Sequence, residues 1–231
     1  MSARDEILTS IRHSLGVTGQ EAPRQRAVSD RLSGHPVGVG VARGQLPMRE
    51  RLALFAAQAE SVQATVTRVT QRDDVPGEVS AFLRARNLPA SLRHGSDSRL
   101  AAMPWQATLL HVTQGPSTGD DVNAVSYGFA GIAETGTMIM LSGPDNPTTL
   151  NFLPDNHIVV IDADDILPDH EAVWERMRSK FGSNQMPRTL NMITGPSRSG
   201  DIEQTMLLGA HGPRALHIIV VDKDYAAETQ P

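Results

Sequence analysis

Two short runs indicate the fold class: HIVVI at residues 157–161 and LHIIVVD at residues 216–222. Both are rich in Val and Ile and apolar at successive positions, which is typical of strands buried on both faces. Helical patterns occur at residues 76–86 and 169–181. Further strand-like runs occupy residues 64–70, 108–113, 137–141 and 189–193. Short strands that alternate with helices predict an α/β fold, with a mostly parallel sheet and helices on both faces.

The first 47 residues differ in pattern from the α/β region that follows them. Ile7, Ile11 and Leu15 recur at helical spacing, and Gly16 is a natural helix end. The next stretch is rich in Gly and Pro and has no aromatic residue. A further helix is expected from residue 48 to about residue 63. We therefore predict three parts: an N-terminal helix at 1–16, a linker or loose arm at 17–47, and an α/β domain at 48–231.

Composition excludes several kinds of chemistry. The chain has 231 residues, with 21 basic and 26 acidic side chains, and this balance argues against nucleic-acid binding. It has no cysteine, so a disulfide, a thiolate nucleophile and an iron–sulfur cluster held by its own thiolates are all excluded. No flavin or nicotinamide motif occurs, so the chain's own motifs predict no cofactor. The start of the chain lacks a secretory pattern and no run is long enough to span a membrane, so a cytoplasmic location is expected.

The segment AETGT offers a first group of candidate residues. Glu134 supplies a carboxylate, Thr135 and Thr137 supply hydroxyls, and Gly136 lets the backbone approach a ligand. The same residues also suit an ordinary turn in which a threonine hydroxyl bonds to the local backbone. Either reading fits the sequence.

The segment TGPSRSGDIE at residues 194–203 offers a second group. It follows a predicted strand and leads into a predicted helix, so its backbone N–H groups and the helix N-terminus could face an anion. Arg198 adds a planar fork that suits carboxylate or phosphate. No Gly-Lys-Ser/Thr sequence is present, so the loop is not a Walker motif. An ion pair from Arg198 to Asp201 or Glu203 that merely fixes the loop is an equal alternative.

Histidines supply the remaining candidates. His157 stands at the start of a predicted strand, where it could serve as a ligand or proton-transfer group or simply be a hydrogen-bonded strand residue. His211 lies in GAHGP, just before the last strand. These two, with His217, Asp201 and Glu203, could in principle hold a metal ion, but no tight ligand spacing supports it. We predict no metal site.

Four blocks of sequence together resemble the lactate-utilisation protein C family (LutC/YkgG, with a LUD domain). They keep the family's order and rough spacing. The blocks are AETGT at 133–137, LP…HIVVID at 153–162, TGPSRSGDIE at 194–203 and GAHGP at 209–213. The family often has Thr-Ala after GPSR, where this chain has Ser199 and Gly200. Both changes are between small residues and leave the resemblance intact.

The resemblance implies a fold similar to the NagB/RpiA/CoA-transferase-like superfamily. It also implies a place in a system that oxidises L-lactate to pyruvate together with iron–sulfur proteins. A chain without cysteine would then be a non-redox component with a pocket for a small anion. The alternative is a free-standing CoA-transferase-like or formyltetrahydrofolate-cycloligase-like enzyme acting on a carboxylate- or phosphate-bearing substrate. In that enzyme Glu134 would be the nucleophile or base and Arg198 the anion clamp.

The candidate residues are expected to share one pocket at the carboxyl ends of the parallel strands, where open α/β sheets bind ligands. Glu134 is the candidate catalytic residue. The candidate anion- or ligand-binding residues are Thr135, Gly136, Thr137, Gly195, Ser197, Arg198, Asp201 and His211.

Overall fold

The computed structural model describes residues 2–38, 42–200 and 207–225. The chain divides into two compact units, Met1–Gly40 and Val41–Pro231. The first unit contains helices α1 (Ala3–Leu15) and α2 (Ala22–Gly34). Helix α1 begins at Ser2, whose hydroxyl accepts a hydrogen bond from the backbone N–H of Asp5. It ends at Gly16, which has the left-handed conformation common after helices. The predicted N-terminal helix with its end at Gly16 is confirmed.

Helix α2 lies within the stretch at 17–47 for which the sequence predicts a linker or a loose arm. Pro23 stands in its first turn, where proline is well tolerated because the N–H there has no helical partner. This helix was not predicted, and residues Ala22–Gly34 are helical rather than irregular. The division at residues 16 and 47 stays a prediction.

The second unit alternates strands and helices. Its elements in chain order are α3 (Met48–Ser61), β1 (Thr65–Val69), α4 (Val75–Ala85), β2 (Ser91–His94), α5 (Ser98–Ala101), β3 (His111–Gln114), β4 (Asn123–Tyr127), β5 (Ala130–Ile132), β6 (Thr137–Leu141), α6 (Thr148–Phe152), β7 (Asn156–Asp162), β8 (Ile166–Leu167), α7 (His170–Phe181), β9 (Leu190–Ile193), β10 (Arg198–Ser199), β11 (Leu207–Leu208) and β12 (Ala215–Val221).

Six strands form the central sheet, in the order β1-β12-β7-β4-β2-β3, and every neighbouring pair is parallel. Strands β7 and β12, the two apolar runs, lie side by side near its centre, with Val160 opposite Ile219. The predicted mostly parallel α/β sheet is confirmed.

The two apolar runs are buried on both faces because side chains alternate along a strand. Ile158 and Val160 belong to one hydrophobic cluster, which contains the apolar face of α4. Val159 and Ile161 belong to another, which contains Phe55 and other residues of α3. Helices therefore cover both faces of the sheet.

A second sheet of four strands, in the order β8-β5-β6-β9, packs into the α3 cluster through Met138 and Met140. Strand β6 runs antiparallel to both β5 and β9. The runs at residues 137–141 and 189–193 are therefore strands, as predicted, but they lie outside the parallel sheet. Strands β5 and β6 form a hairpin, which the sequence analysis missed. Its turn is closed by a hydrogen bond from the Gly136 N–H to the Ile132 carbonyl.

Among the described residues, no helix is both long enough and apolar enough to cross a membrane.

Candidate functional site

The GPSR loop and the GAHGP segment are joined into one structure. The short strands β10 and β11 pair in an antiparallel ladder that holds Arg198 opposite Leu208. The Ser197 N–H donates to the Pro213 carbonyl at 2.8 Å, and the His211 N–H donates to the Ser197 hydroxyl at 3.3 Å. Three of the sequence-predicted residues, Ser197, Arg198 and His211, are thereby brought together.

These residues line a cavity of about 250 Å³. Its wall includes Gly195, Ser197, Arg198 and His211, all predicted as ligand-binding residues. The Arg198 and His211 side chains are exposed, and within the described ranges no ion pair to Arg198 occurs. Apolar residues, among them Phe152, Met192 and Leu216, form much of the remaining wall.

The cavity lies at the amino ends of the parallel strands, so the prediction of the carboxyl edge is wrong. His157 is the second residue of β7, and Leu216 is the second residue of β12. The reason is topological. The GPSR loop follows β9, which belongs to the antiparallel part of the small sheet, and the GAHGP segment precedes β12. Neither segment therefore emerges from the carboxyl end of a parallel strand.

Two buried polar side chains also line the cavity. Asn151 in α6 and His157 in β7 are each about 1% exposed. They are joined by the equally buried Ser126 of β4, whose hydroxyl lies 3.3 Å from Asn151 Oδ1 and 3.1 Å from His157 Nε2. We call these residues the Asn151–Ser126–His157 chain. Burial lowers the pKa of His157 to about 3, so its ring is neutral near pH 7.

The AETGT segment does not line this cavity. Its first residues form the turn between β5 and β6, which is closed by a backbone hydrogen bond rather than by the threonine-to-backbone bond of the ordinary-turn alternative. The Glu134 carboxylate is largely buried and lies 2.9 Å from His170 Nδ1. Gly136 has a φ of +67°, and a Cβ built there would lie 2.3 Å from the Ala59 nitrogen of α3. The lack of a side chain at Gly136 therefore allows the turn to pack closely against helix α3, rather than allowing a ligand to approach the backbone.

The two loops are nevertheless neighbours. The hydroxyls of Thr135 and Thr137 share a hydrogen bond of 2.7 Å, and Thr137 shares another of 2.7 Å with Thr194. Thr194 lines the cavity. The predicted residues Thr135, Gly136 and Thr137 therefore support the wall of the cavity without forming it.

Asp201 and Glu203 lie outside the described residues, so the predicted role of Asp201 and the alternative ion pair with Arg198 stay predictions. Among the residues that the structure does describe, no three His, Cys, Asp or Glu side chains are grouped to hold a metal ion. His157 and His217 are both buried, and burial lowers the pKa of His217 to about 4.

A charged network at the carboxyl edge of the sheet escaped the sequence analysis. Arg72 donates to the Tyr127 hydroxyl at 3.1 Å and to Asp162 at 2.7 Å, and the Arg99 guanidinium lies 3.6 Å from the Tyr127 ring centroid. Burial and Asp162 raise the pKa of Tyr127. Cavities of about 470 and 520 Å³ flank this network. Tyr127 and Asp162 are the last residues of β4 and β7, and Arg72 and Arg99 lie in the segments that follow β1 and β2, but isolated polar residues at such positions form no recognisable motif.

Comparison with known proteins supports the α/β fold and indicates a family. The family model for the LUD domain matches residues 124–221. The uncharacterized protein NMB1437 of Neisseria meningitidis is 30% identical over 97% of this chain and 96% of its own length. Lactate utilization protein C of Anoxybacillus flavithermus is 36% identical over 40% of each chain, so the match spans about two fifths of that relative. A crystal structure of a DUF162-family protein from Deinococcus radiodurans superposes with a TM-score of 0.53 at 25% identity, over 76% of this chain and 99% of that one.

The sheet topology is that of an α/β protein, and the match over residues 124–221 assigns it to the LUD-domain class. Within that class, the chain belongs to the lactate utilization protein C family.

Proposed function

We propose that the chain is a non-redox component of an L-lactate utilisation system, which converts L-lactate to pyruvate, and that it acts with iron–sulfur partner proteins in the cytoplasm. Membership of the lactate utilization protein C family supports the pathway. The absence of cysteine supports a non-redox role for this chain beside iron–sulfur partners, because an iron–sulfur cluster would need thiolates from another chain.

We further propose that the cavity beside the GPSR loop binds a small carboxylate. The observation that carries this proposal is the β10–β11 ladder, which holds Ser197, Arg198 and His211 around one cavity. A guanidinium matches a carboxylate with two parallel hydrogen bonds, and a serine hydroxyl can donate a third. The volume of about 250 Å³ suits a small metabolite rather than a nucleotide, and the apolar wall suits a short carbon chain.

Thermal denaturation of the full chain with added ligands tests the pocket. L-lactate, pyruvate and propionate should each raise the melting temperature at millimolar concentration, whereas acetyl-CoA and a folate should not. A ligand that binds only the folded chain stabilises it by RT ln(1 + [L]/Kd), about 2.7 kcal/mol at 100 times Kd. No shift with any of the three carboxylates would contradict the pocket.

Arg198→Lys tests the guanidinium directly. Lysine keeps the charge but loses the planar fork, so carboxylate binding should weaken about tenfold without loss of folding. Arg188→Lys, which changes an exposed arginine outside the cavity, is the matched control and should bind normally. Equal affinities in both variants would remove Arg198 from the site.

Growth on L-lactate tests the pathway. Deletion of the gene should abolish or slow growth on L-lactate as sole carbon source in a strain without a second lactate dehydrogenase. Unchanged growth in such a strain would contradict the pathway assignment.

The alternative of a free-standing enzyme requires Glu134 to act beside the anion clamp. Glu134 instead contacts His170 and is absent from the wall of the cavity that Arg198 lines. The position of this carboxylate therefore favours the binding component over the enzyme.

A further inference from the structure

The Asn151–Ser126–His157 chain has a fixed direction of hydrogen bonding. Asn151 Oδ1 can only accept, so the Ser126 hydroxyl proton points to it across 3.3 Å. The Ser126 oxygen must then accept from His157 Nε2, 3.1 Å away. The ring is neutral and carries one proton, so that proton sits on Nε2 and leaves Nδ1 as an acceptor.

This direction leaves one acceptor and one donor at the cavity. His157 Nδ1 and Asn151 Nδ2 are both buried, and neither has a hydrogen-bond partner within the described part of the chain. Both side chains line the same cavity as Arg198. Buried polar groups in folded proteins are nearly always paired, so an unpaired acceptor and an unpaired donor on two residues of one cavity wall point to a ligand group that can satisfy both.

A hydroxyl group is the smallest group that does so. It donates its proton to His157 Nδ1 and accepts from Asn151 Nδ2. A keto oxygen accepts from Asn151 but leaves His157 Nδ1 unpaired, and a methylene pairs with neither atom. A site built to hydrogen-bond a hydroxyl rejects the analogue that lacks it because its own polar groups stay unpaired.

We propose that the Asn151–Ser126–His157 chain recognises a hydroxyl group on the ligand, so that the cavity takes a 2-hydroxy acid in preference to the matching 2-oxo acid. This inference rests on the proposed carboxylate-binding function of the same cavity. Arg198 binds the carboxylate, His157 and Asn151 bind the hydroxyl, and Ser126 is a positioning residue that fixes which ring nitrogen of His157 accepts.

Titration calorimetry of the full chain with L-lactate, pyruvate and propionate tests the inference. L-lactate should bind at least tenfold more tightly than either of the other two. If all three bind within threefold of one another, the hydroxyl inference is overturned and the carboxylate pocket stands. If none of them binds at millimolar concentration, the carboxylate pocket fails and the inference fails with it.

Asn151→Ala should remove the preference for L-lactate while leaving propionate binding within about threefold of the unchanged chain. Gln185→Ala removes an exposed amide outside the cavity and is the matched control, which should keep the tenfold preference. A preference that persists in Asn151→Ala would overturn the role of this amide.

A measurement on the unaltered chain avoids any loss of folding in the variants. Nitrogen-15 NMR of labelled histidine reports which ring nitrogen carries the proton. His157 should be protonated on Nε2 and bare on Nδ1 between pH 5 and pH 8, and only the Nδ1 resonance should move strongly when L-lactate is added. A proton on Nδ1 would overturn the inference, because the site would then offer two donors and would suit an oxo group.

Discussion

Replacing Gly136 with alanine tests whether the AETGT turn is built for contact with helix α3. The φ of Gly136 is +67°, a conformation that costs an L side chain about 1–2 kcal/mol. The added Cβ would lie 2.3 Å from the Ala59 nitrogen and 2.6 Å from the Gln58 carbonyl carbon. These are backbone atoms of a helix, so no side-chain rotation can relieve the overlap, and Ala59 is fully buried. Overpacking of this kind typically costs about 1–3 kcal/mol. The expected loss in the free energy of unfolding is therefore about 2–5 kcal/mol.

Two further glycines separate the two contributions to that loss. Gly119 has a φ of +105° but has open space where a Cβ would stand, so Gly119→Ala should show only the conformational cost. Gly77 lies within α4, also with open space, and Gly77→Ala should stabilise the chain by about 0.5–1 kcal/mol. Urea unfolding followed by circular dichroism and by tryptophan fluorescence measures all three, provided that the slope against urea is unchanged. A Gly136→Ala variant no less stable than Gly119→Ala would refute the close-contact argument.

Three other predictions concern titration, capping and the candidate catalytic residue Glu134. Burial lowers the pKa of His157 to about 3 and the pKa of His217 to about 4. Below pH 6.5 these two histidines therefore bind protons in the unfolded chain but not in the folded chain. The free energy of unfolding should fall between pH 6.5 and pH 4, by about 1 kcal/mol per pH unit for each histidine, in urea titrations across that range; a flat profile would contradict their burial. Asp169→Ala should cost about 1–2 kcal/mol by the same method, because its carboxylate accepts the Ala172 N–H at the start of α7; an unchanged midpoint would exclude the cap. Glu134→Gln should leave the melting-temperature shift with L-lactate unchanged, since Glu134 lies outside the cavity, and loss of that shift would restore it as a site residue.

The central sheet was predictable because its middle strands are apolar on both faces. The run at 216–222 corresponds closely to β12 (Ala215–Val221), and the run at 157–161 lies within β7.

Strand β4 was missed because it carries Asn123 and Ser126, which look like loop residues in a sequence. Both are buried at the centre of the sheet, where Asn123 donates to the carbonyls of Pro89 and Ser91. Buried hydrogen bonding of this kind depends on distant residues, so local composition does not reveal it.

The residues beside the cavity were partly predictable, but its position was not. Ser197, Arg198 and His211 were recognised from residue types in two loops, and the structure brings them together. The error about the edge of the sheet came from treating the strand before the GPSR loop as parallel. The direction of β9 depends on its pairing with β6, and the sequence of so short a strand does not show whether its ladder is parallel or antiparallel. The position of GAHGP directly before β12 was the one local indication that the cavity lies at the amino ends of the parallel strands.

The two glycine-containing motifs have a common structural basis at the end of helix α3. Gly136 packs on Ala59, and Gly195, with a φ of +75°, packs so closely that a Cβ would lie 2.3 Å from the Val62 carbonyl oxygen. The hydrogen bond between Thr137 and Thr194 joins the two loops above that helix end. AETGT and GPSR are therefore two parts of one support, even though only the second lines the cavity. This arrangement explains how a motif can accompany a binding site in sequence while its glycine contacts protein backbone and its carboxylate contacts His170. Motifs that occur together in a sequence can therefore mark residues that support a cavity as well as residues that line it. Only the hydrogen bonds and close contacts in the structure show which role a motif has.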